Sequence, residues 1–164
     1  MLRALALAGL LGIAAPPTLG LTQQRRTSYF VTLAVGPGSL GFSALLGGSV
    51  QRGHAGASLR LSGNLPPAGR PIASDIALLA TCSLAGRLAL VSVGAGVAAV
   101  FTGDSTRIAG SPFNKHTTIG LPLEARAVWR PVSGFGVGLI AMGNVNSRRS
   151  YVAALLGLQL GRFE

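Results

Sequence analysis

The stretch TTIGLPLEARAVW, residues 117–129, alternates between two kinds of side chain along its whole length. The odd-numbered positions form a mainly apolar series: Thr117, Ile119, Leu121, Leu123, Ala125, Ala127 and Trp129. The even-numbered series carries a carboxylate at Glu124 and a guanidinium at Arg126. A period of two residues is that of a β-strand with one apolar and one polar face. The fold depends on whether the apolar face meets a protein core, as in a soluble protein, or lipid, as in a membrane barrel.

The composition indicates that the apolar face meets lipid. The chain has 164 residues, the length of one domain. Only 11% of its residues are charged, against about 25% in an average soluble domain. Apolar residues make up 49% and there are 24 glycines. Yet no stretch reaches the roughly 18 uninterrupted apolar residues of a spanning helix, because the best candidate, residues 88–101, is short and contains glycine. A closed β-barrel is the remaining membrane architecture.

The first twenty residues have the layout of a secretory signal peptide. A basic residue, Arg3, precedes an apolar segment over residues 4–15, and a Pro16-Pro17 pair precedes small residues. We therefore predict a signal peptide at residues 1–20 and a barrel domain at residues 21–164. The only cysteine, Cys82, cannot form an intramolecular disulfide, and its place in an apolar series predicts a side chain that faces lipid.

Seven further segments show the same alternation. We predict strands at about residues 28–36, 40–50, 54–63, 75–84, 87–101, 117–129, 135–146 and 151–163. The apolar series contain no charged residue, whereas Arg60, Glu124 and Arg126 fall in the second series, which is rich in Gly, Ser and Ala. Small side chains suit the narrow lumen of an eight-stranded barrel. The predicted fold is therefore all-β, an eight-stranded antiparallel up-and-down transmembrane barrel with its apolar face outward.

The links between the predicted strands alternate in length. Short links follow the second, fourth and sixth strands, and long, turn-rich links follow the third and fifth. Short turns at one end and longer loops at the other are typical of outer-membrane barrels. With the N-terminus in the periplasm, the longer loops face outward.

Together these segments resemble the small eight-stranded bacterial outer-membrane barrels, the OmpA-transmembrane-domain and OmpX-like group. The resemblance covers about residues 27–164 and is carried by GLPLEARAVWRP, FGVGLIAMGNVN and LGLQLGRF. It implies a place in the outer membrane of a Gram-negative cell envelope and insertion by the barrel assembly machinery. Such proteins commonly end in a lipid-facing aromatic residue, whereas here Phe163 is penultimate, falls in the lumenal series and precedes Glu164.

The charged strand residues predict a lumenal network. Glu124 and Arg126 lie two apart on one strand, so both side chains enter the lumen, where an unpaired charge is costly. We predict that Glu124 pairs with Arg126 and with Arg60 from across the barrel, which fills and stiffens the interior. A ligand site at the Glu124 carboxylate is the alternative. At the strand ends, we predict a girdle of interfacial aromatic residues: Tyr29, Trp129, Phe135 and Tyr151.

The sequence offers little catalytic chemistry. Its four carboxylates have no acid–base spacing, and His54 and His116 lie far apart. We expect no catalytic residue, no cofactor and no metal site. The enzymatic alternative is a lipid A or phospholipid-modifying barrel that uses His116, a nearby serine and Asp104. A third hypothesis is a soluble lipocalin-like carrier, whose apolar series would line a cavity. The preferred function is a non-enzymatic outer-membrane barrel with a structural or surface-interaction role.

The formal net charge of +10 raises the question of an anionic partner. The basic residues are scattered, without interleaved aromatics, which argues against nucleic acid. Those predicted at periplasmic strand ends are Arg25, Arg26, Arg52, Arg87, Arg130 and Arg162, and those in outer loops are Arg70, Arg107, Lys115, Arg148 and Arg149. Both membrane surfaces carry phosphates. We therefore expect a monomer whose rims contact membrane lipids, including lipopolysaccharide phosphates. The alternative is that the basic residues only solvate the loops.

Overall fold

The computed structural model describes residues 27–65, 72–103 and 115–162, which form a closed barrel of eight antiparallel strands. The strands are β1 (Thr27–Gly38), β2 (Gly41–Arg52), β3 (Ala55–Leu65), β4 (Ile72–Ala85), β5 (Ala89–Gly103), β6 (Lys115–Val132), β7 (Phe135–Asn146) and β8 (Tyr151–Arg162). Each strand pairs with the next, and β8 pairs with β1. The predicted fold class is confirmed. The predicted signal peptide lies outside the described residues, as do Phe163 and Glu164.

Several strands are longer than the alternation predicted. β3 runs on to Leu65 and β4 begins at Ile72, so six residues link them where the sequence suggested a longer loop. The extra residues have ladder partners, since Leu65 is opposite Phe42 and Ile72 is opposite Gly103. A strand continues as long as its backbone groups have hydrogen-bonding partners on the neighbouring strand, even where its side chains are typical of turns.

The barrel has two distinct ends. We call the end that carries the β1–β2, β3–β4, β5–β6 and β7–β8 links the loop end, and the end where β1 begins and β8 ends the terminal end. The terminal-end turns are tight: Gly53 has a φ of +64°, a left-handed conformation that glycine adopts without strain. Within the described residues, no helix is long and apolar enough to cross a membrane.

The apolar face of every strand points outward. Leu139 is 66% exposed while its neighbour Ile140 is 1% exposed, and the same alternation runs along the other strands. On β6 the outward series runs from Ile119 to Trp129, ten residues apart. Ten residues span about 33 Å along a strand, or about 25 Å along the barrel axis at the usual tilt. The outward apolar belt therefore has the height of a membrane's hydrocarbon layer.

The lumen holds apolar clusters around a polar centre. Nearest the terminal end, Phe30, Leu90 and Val128 pack together, and the Arg126 guanidinium lies 5.9 Å from the centroid of the Phe30 ring. A larger cluster lies towards the loop end: Ala34, Leu45, Ala73, Ile140, Met142, Tyr151, Ala153 and Leu155. Close packing of this kind fills the narrow bore and leaves the charged side chains between layers of apolar ones.

Candidate functional site: the lumenal network and the two rims

Asp75 on β4 is the centre of the loop-end half of the lumenal network. Its Oδ2 accepts hydrogen bonds from Arg60 Nη2 at 2.7 Å, Asn144 Nδ2 at 2.9 Å and the Tyr151 hydroxyl at 2.5 Å. Its Oδ1 accepts one from Ser62 Oγ at 2.7 Å. These four donors come from three other strands, and one of them, Ser62, is the register partner of Asp75 on β3. Together they satisfy most of the acceptor capacity of one carboxylate. Asp75 therefore ties β3, β4, β7 and β8 together across the lumen.

Arg126 on β6 organises the terminal-end half of the network. Its Nε donates to Glu124 Oε1 on the same strand. The two Nη atoms reach across the lumen: Nη1 donates to Ser49 Oγ at 3.1 Å and to Thr32 Oγ1 at 3.4 Å, and Nη2 donates to Ser58 Oγ at 3.1 Å. One guanidinium thereby bridges β6 to β1, β2 and β3.

Arg60 connects the two halves. Its Nη1 lies 3.7 Å from Glu124 Oε2, while its Nη2 holds Asp75. The four ionic side chains Asp75, Arg60, Glu124 and Arg126 form one chain of alternating sign, with no net charge. Because a buried charge without a partner is expensive, this neutrality lets the ions occupy a space closed to solvent.

The structure brings together the three residues that the sequence singled out, Arg60, Glu124 and Arg126, and adds a fourth ion that the sequence reasoning missed. Asp75 lies at the start of a predicted strand, where it was not counted among the charges of the strand cores. Its odd number places it in the lumenal series with Ala77 and Leu79, and this was the signal that could have found it.

One of the four predicted interfacial aromatics is misplaced. Tyr151 is 7% exposed and its side chain enters the lumen, so its assignment to the girdle was wrong. Tyr151 lies on the same face of β8 as Ala153 and Leu155, which also point into the lumen. Tyr29 and Trp129 face outward, 53% and 58% exposed, and Phe135 begins β7 with partial exposure, all near the terminal end.

The two histidines lie at opposite ends of the barrel. His54 Nδ1 bonds the carbonyl oxygen of Ser83 at 3.0 Å, which fixes its ring against the neighbouring strand. His116 is exposed at the loop end, where its backbone carbonyl accepts from Thr102 Oγ1. Across residues 27–65, 72–103 and 115–162, no side chain hydrogen-bonds the His116 ring, and Asp104 lies outside these ranges. In the same part of the chain, no group of three His, Cys, Asp or Glu residues could hold a metal ion.

The β1–β2 turn lies against one side of the lumen at the loop end. Asn64 Nδ2 donates to the carbonyl oxygen of Leu40 at 2.8 Å, and Asn64 Oδ1 accepts from the backbone N–H of Ala73 at 2.5 Å. The side chain of Leu40 packs against the larger apolar cluster of the lumen. The turn is thus tied down over one side of the bore.

Apart from the lumenal Arg60 and Arg126, the arginines of the described residues lie at the two rims. Arg52, Arg87 and Arg162 are exposed at the terminal end, where Arg130 Nη2 also donates to the carbonyl oxygens of residues 86 and 89. At the loop end, Arg148 is exposed and Arg149 is partly buried. Both described carboxylates, Asp75 and Glu124, are inside the lumen. The described exterior of the barrel therefore carries cationic groups and no carboxylate.

A closed eight-stranded barrel with an apolar exterior and a polar lumen is the fold of the small outer-membrane barrels, as the resemblance in sequence pattern implied. The N-terminal barrel domain of Pseudomonas aeruginosa OprF is similar with a TM-score of 0.63 and 15% identity, over 84% of this chain and 99% of that domain. Ail, the attachment invasion locus protein of Yersinia pestis, solved with the heparin analogue sucrose octasulfate, gives 0.57 and 10%, over 84% and 97%. The outer membrane enzyme PagL gives 0.52 and 14%, over 80% and 98%. No family model matches the sequence, and no curated protein matches it either.

Proposed function

We propose that this protein is a non-enzymatic barrel of the bacterial outer membrane that reinforces the cell envelope and presents its loop end for interactions at the cell surface. The observation that carries the proposal is the apolar exterior wrapped around a lumen filled by a neutral ionic network. An outward belt of about 25 Å matches the apolar band of outer-membrane barrels, and it would be poorly tolerated in water.

The filled lumen supports a structural role. The side chains of Arg60 and Asp75 are fully buried at the centre of the lumen, and Arg126 crosses the lumen nearer the terminal end. An eight-stranded barrel has room for side chains and none for an open channel. We therefore expect the reconstituted protein to pass no steady ion current in planar bilayers.

Surface interaction is supported by the rims. The cationic loop end faces outward if the termini lie in the periplasm, and anionic groups are abundant on the outer surface of such membranes. Ail, one of the structures with this fold, is named for attachment and invasion. The likeness to Ail, at 10% identity, extends to the fold alone.

The membrane position is testable with neighbouring alanines of β8. In a Cys82→Ser background, Ala154→Cys places a thiol on the outward face and Ala153→Cys places one in the lumen. A spin label at position 154 should show high accessibility to oxygen and low accessibility to a water-soluble nickel complex in bilayers, and a label at Ser147→Cys should show the reverse. The thiol at position 153 should resist labelling until the barrel unfolds.

Two results would overturn the proposal. One is a label at position 154 that the nickel complex reaches as readily as a label at position 147. The other is a protein that fractionates with the soluble periplasm and stays monomeric without detergent, which is the behaviour of a lipocalin-like carrier. Altered lipid A mass spectra in cells that express wild type, but not His116→Ala, would instead favour the lipid-modifying enzyme.

A further inference from the structure

We propose that the β7–β8 turn is a preformed binding site for the phosphate groups of lipids in the outer leaflet. The site consists of Asn146 and the turn residues Ser147, Arg148, Arg149 and Ser150. The inference rests on the proposed function, because the membrane position of the barrel places this turn beside lipid headgroups.

The turn is held in one shape by the side chain of Asn146. Its Oδ1 accepts from the backbone N–H groups of Arg148 at 3.0 Å and Arg149 at 2.7 Å. Its Nδ2 donates to the carbonyl oxygen of Arg149 at 2.8 Å and to Asn144 Oδ1 at 3.3 Å. The Ser150 hydroxyl closes the turn by accepting from the backbone N–H of Asn146 at 3.2 Å. Both arginines are therefore carried by a fixed backbone, which reduces the entropy lost when a ligand binds.

The two guanidinium groups lack anionic partners within residues 27–65, 72–103 and 115–162. Asp75 and Glu124 are the carboxylates of that part of the chain, and both are bound by arginines of the lumen. Arg149 Nη1 is moreover buried, and no described residue supplies it with a hydrogen-bond acceptor. A buried donor of this kind costs free energy until an acceptor reaches it. Oxygens of a phosphate group have the charge and geometry to supply acceptors to paired arginines.

The depth of the turn indicates a lipid headgroup as the source of the phosphate. The outward apolar series ends at Val145 on β7 and begins again at Val152 on β8, and both side chains are exposed. Arg148 and Arg149 each lie three residues from one of these valines, at most about 10 Å beyond the belt at the rise of an extended strand. The headgroup region of a bilayer occupies roughly 5–8 Å on each side of the hydrocarbon. The flexible stem of the exposed Arg148 lets its charged group reach that layer.

Hydroxyl groups beside the arginines extend the site. Ser147 Oγ lies 3.3 Å from Thr118 Oγ1 on β6, so the turn is joined to the neighbouring strand at its base. At the terminal end, by contrast, Arg52 ends β2 and Arg87 lies in the β4–β5 link, while Arg130 donates hydrogen bonds to backbone carbonyls. Removing Arg52 and Arg87 is therefore a control that changes the net charge equally.

The test uses the full chain, folded in a non-ionic detergent, titrated with bis-phosphorylated lipid A and with its dephosphorylated counterpart. Arg148→Gln/Arg149→Gln should weaken binding of the phosphorylated lipid about 30-fold, at the usual contribution of an arginine near a phosphate surface. Arg52→Gln/Arg87→Gln should bind within about 3-fold of wild type, since its charges lie at the other end. The dephosphorylated lipid should not distinguish the three proteins.

Asn146→Ala tests whether the fixed shape of the turn contributes to binding in addition to the charge of the arginines. It keeps both arginines, and we expect a several-fold loss of affinity, with folding checked by the heat-induced gel shift. Equal losses in the two double-glutamine variants, or equal binding of the two lipids, would overturn the proposal. Displacement of the lipid by inorganic phosphate at equal phosphate concentration would assign the site to a free anion and overturn the lipid assignment. Failure of the spin-label test on β8 would refute the membrane position without affecting these titrations.

Discussion

Arg60 Nη2 on β3 and Asp75 Oδ2 on β4 lie 2.7 Å apart, and both side chains are fully excluded from solvent. The pair is the centre of a neutral set of four ions that reaches from the Tyr151 hydroxyl to the Ser49 and Ser58 hydroxyls. The geometry makes the stability of the barrel depend on charge balance within this set and on the polar side chains that donate to it.

Asp75→Asn should destabilise the barrel by about 3 kcal/mol, because Arg60 then stays buried beside a neutral amide. The change also presents an N–H₂ group to Asn144 and Tyr151, which are donors in the native network. The measurement is urea unfolding in lipid vesicles, followed by the fluorescence of the single tryptophan, Trp129.

A double-mutant cycle with Arg60→Gln and Arg60→Gln/Asp75→Asn measures the coupling between the two side chains. Residues in direct contact are not additive, and we expect the double variant to be more stable than the sum of the two losses by about 2 kcal/mol. Strictly additive losses would show that the pair does not act as a unit.

Tyr151→Phe should cost about 1–3 kcal/mol, because it removes the hydroxyl that donates to Asp75 and leaves the ring in the apolar cluster. Tyr29→Phe is the matched control. Tyr29 faces outward, and loss of its hydroxyl should change the free energy of unfolding by less than about 0.5 kcal/mol. Equal effects of the two substitutions would indicate that Tyr151 lies in the interfacial girdle, as its sequence position first suggested, and not in the lumen.

Gly120→Ala should destabilise the barrel by about 1–3 kcal/mol through overpacking. A Cβ at this lumenal position would collide with the Asn144 amide and lie 2.9 Å from Val100 Cγ2. The displaced Asn144 would lose its bond to Asp75.

Gly48→Ala provides the comparison for that substitution. Position 48 faces outward, and a Cβ there would meet no atom within 4 Å. Alanine should be neutral or stabilising by up to about 1 kcal/mol, since it restricts the unfolded chain more than glycine does. The two alanine variants are compared by the temperature at which the compact band is lost in gel electrophoresis. A lower midpoint for Gly48→Ala than for Gly120→Ala would contradict the assignment of the two faces.

The candidate site was predicted in part because a strand's side chains alternate. The even numbers of Glu124 and Arg126 put both into the same face as Arg60 once each strand's apolar series was known. The same rule applied to Asp75 and Tyr151 would have placed them in the lumen as well. Tyr151 was assigned to the interface because it begins a predicted strand, and Asp75, which also begins one, was not counted among the charges of the strand cores. The true strand lengths were decided by backbone partners rather than by side-chain type.

The sequence by itself determined that this chain forms eight amphipathic strands, because side chains alternate between the two faces of a strand. Its low content of charged residues indicated that the apolar face is the outer one. The tertiary structure decided which lumenal groups meet. Tyr151 and Asp75 are 76 residues apart and touch only because the barrel closes with a particular register between every pair of strands. That register is a property of the whole sheet, since each strand is fixed by two neighbours, and no single segment contains it.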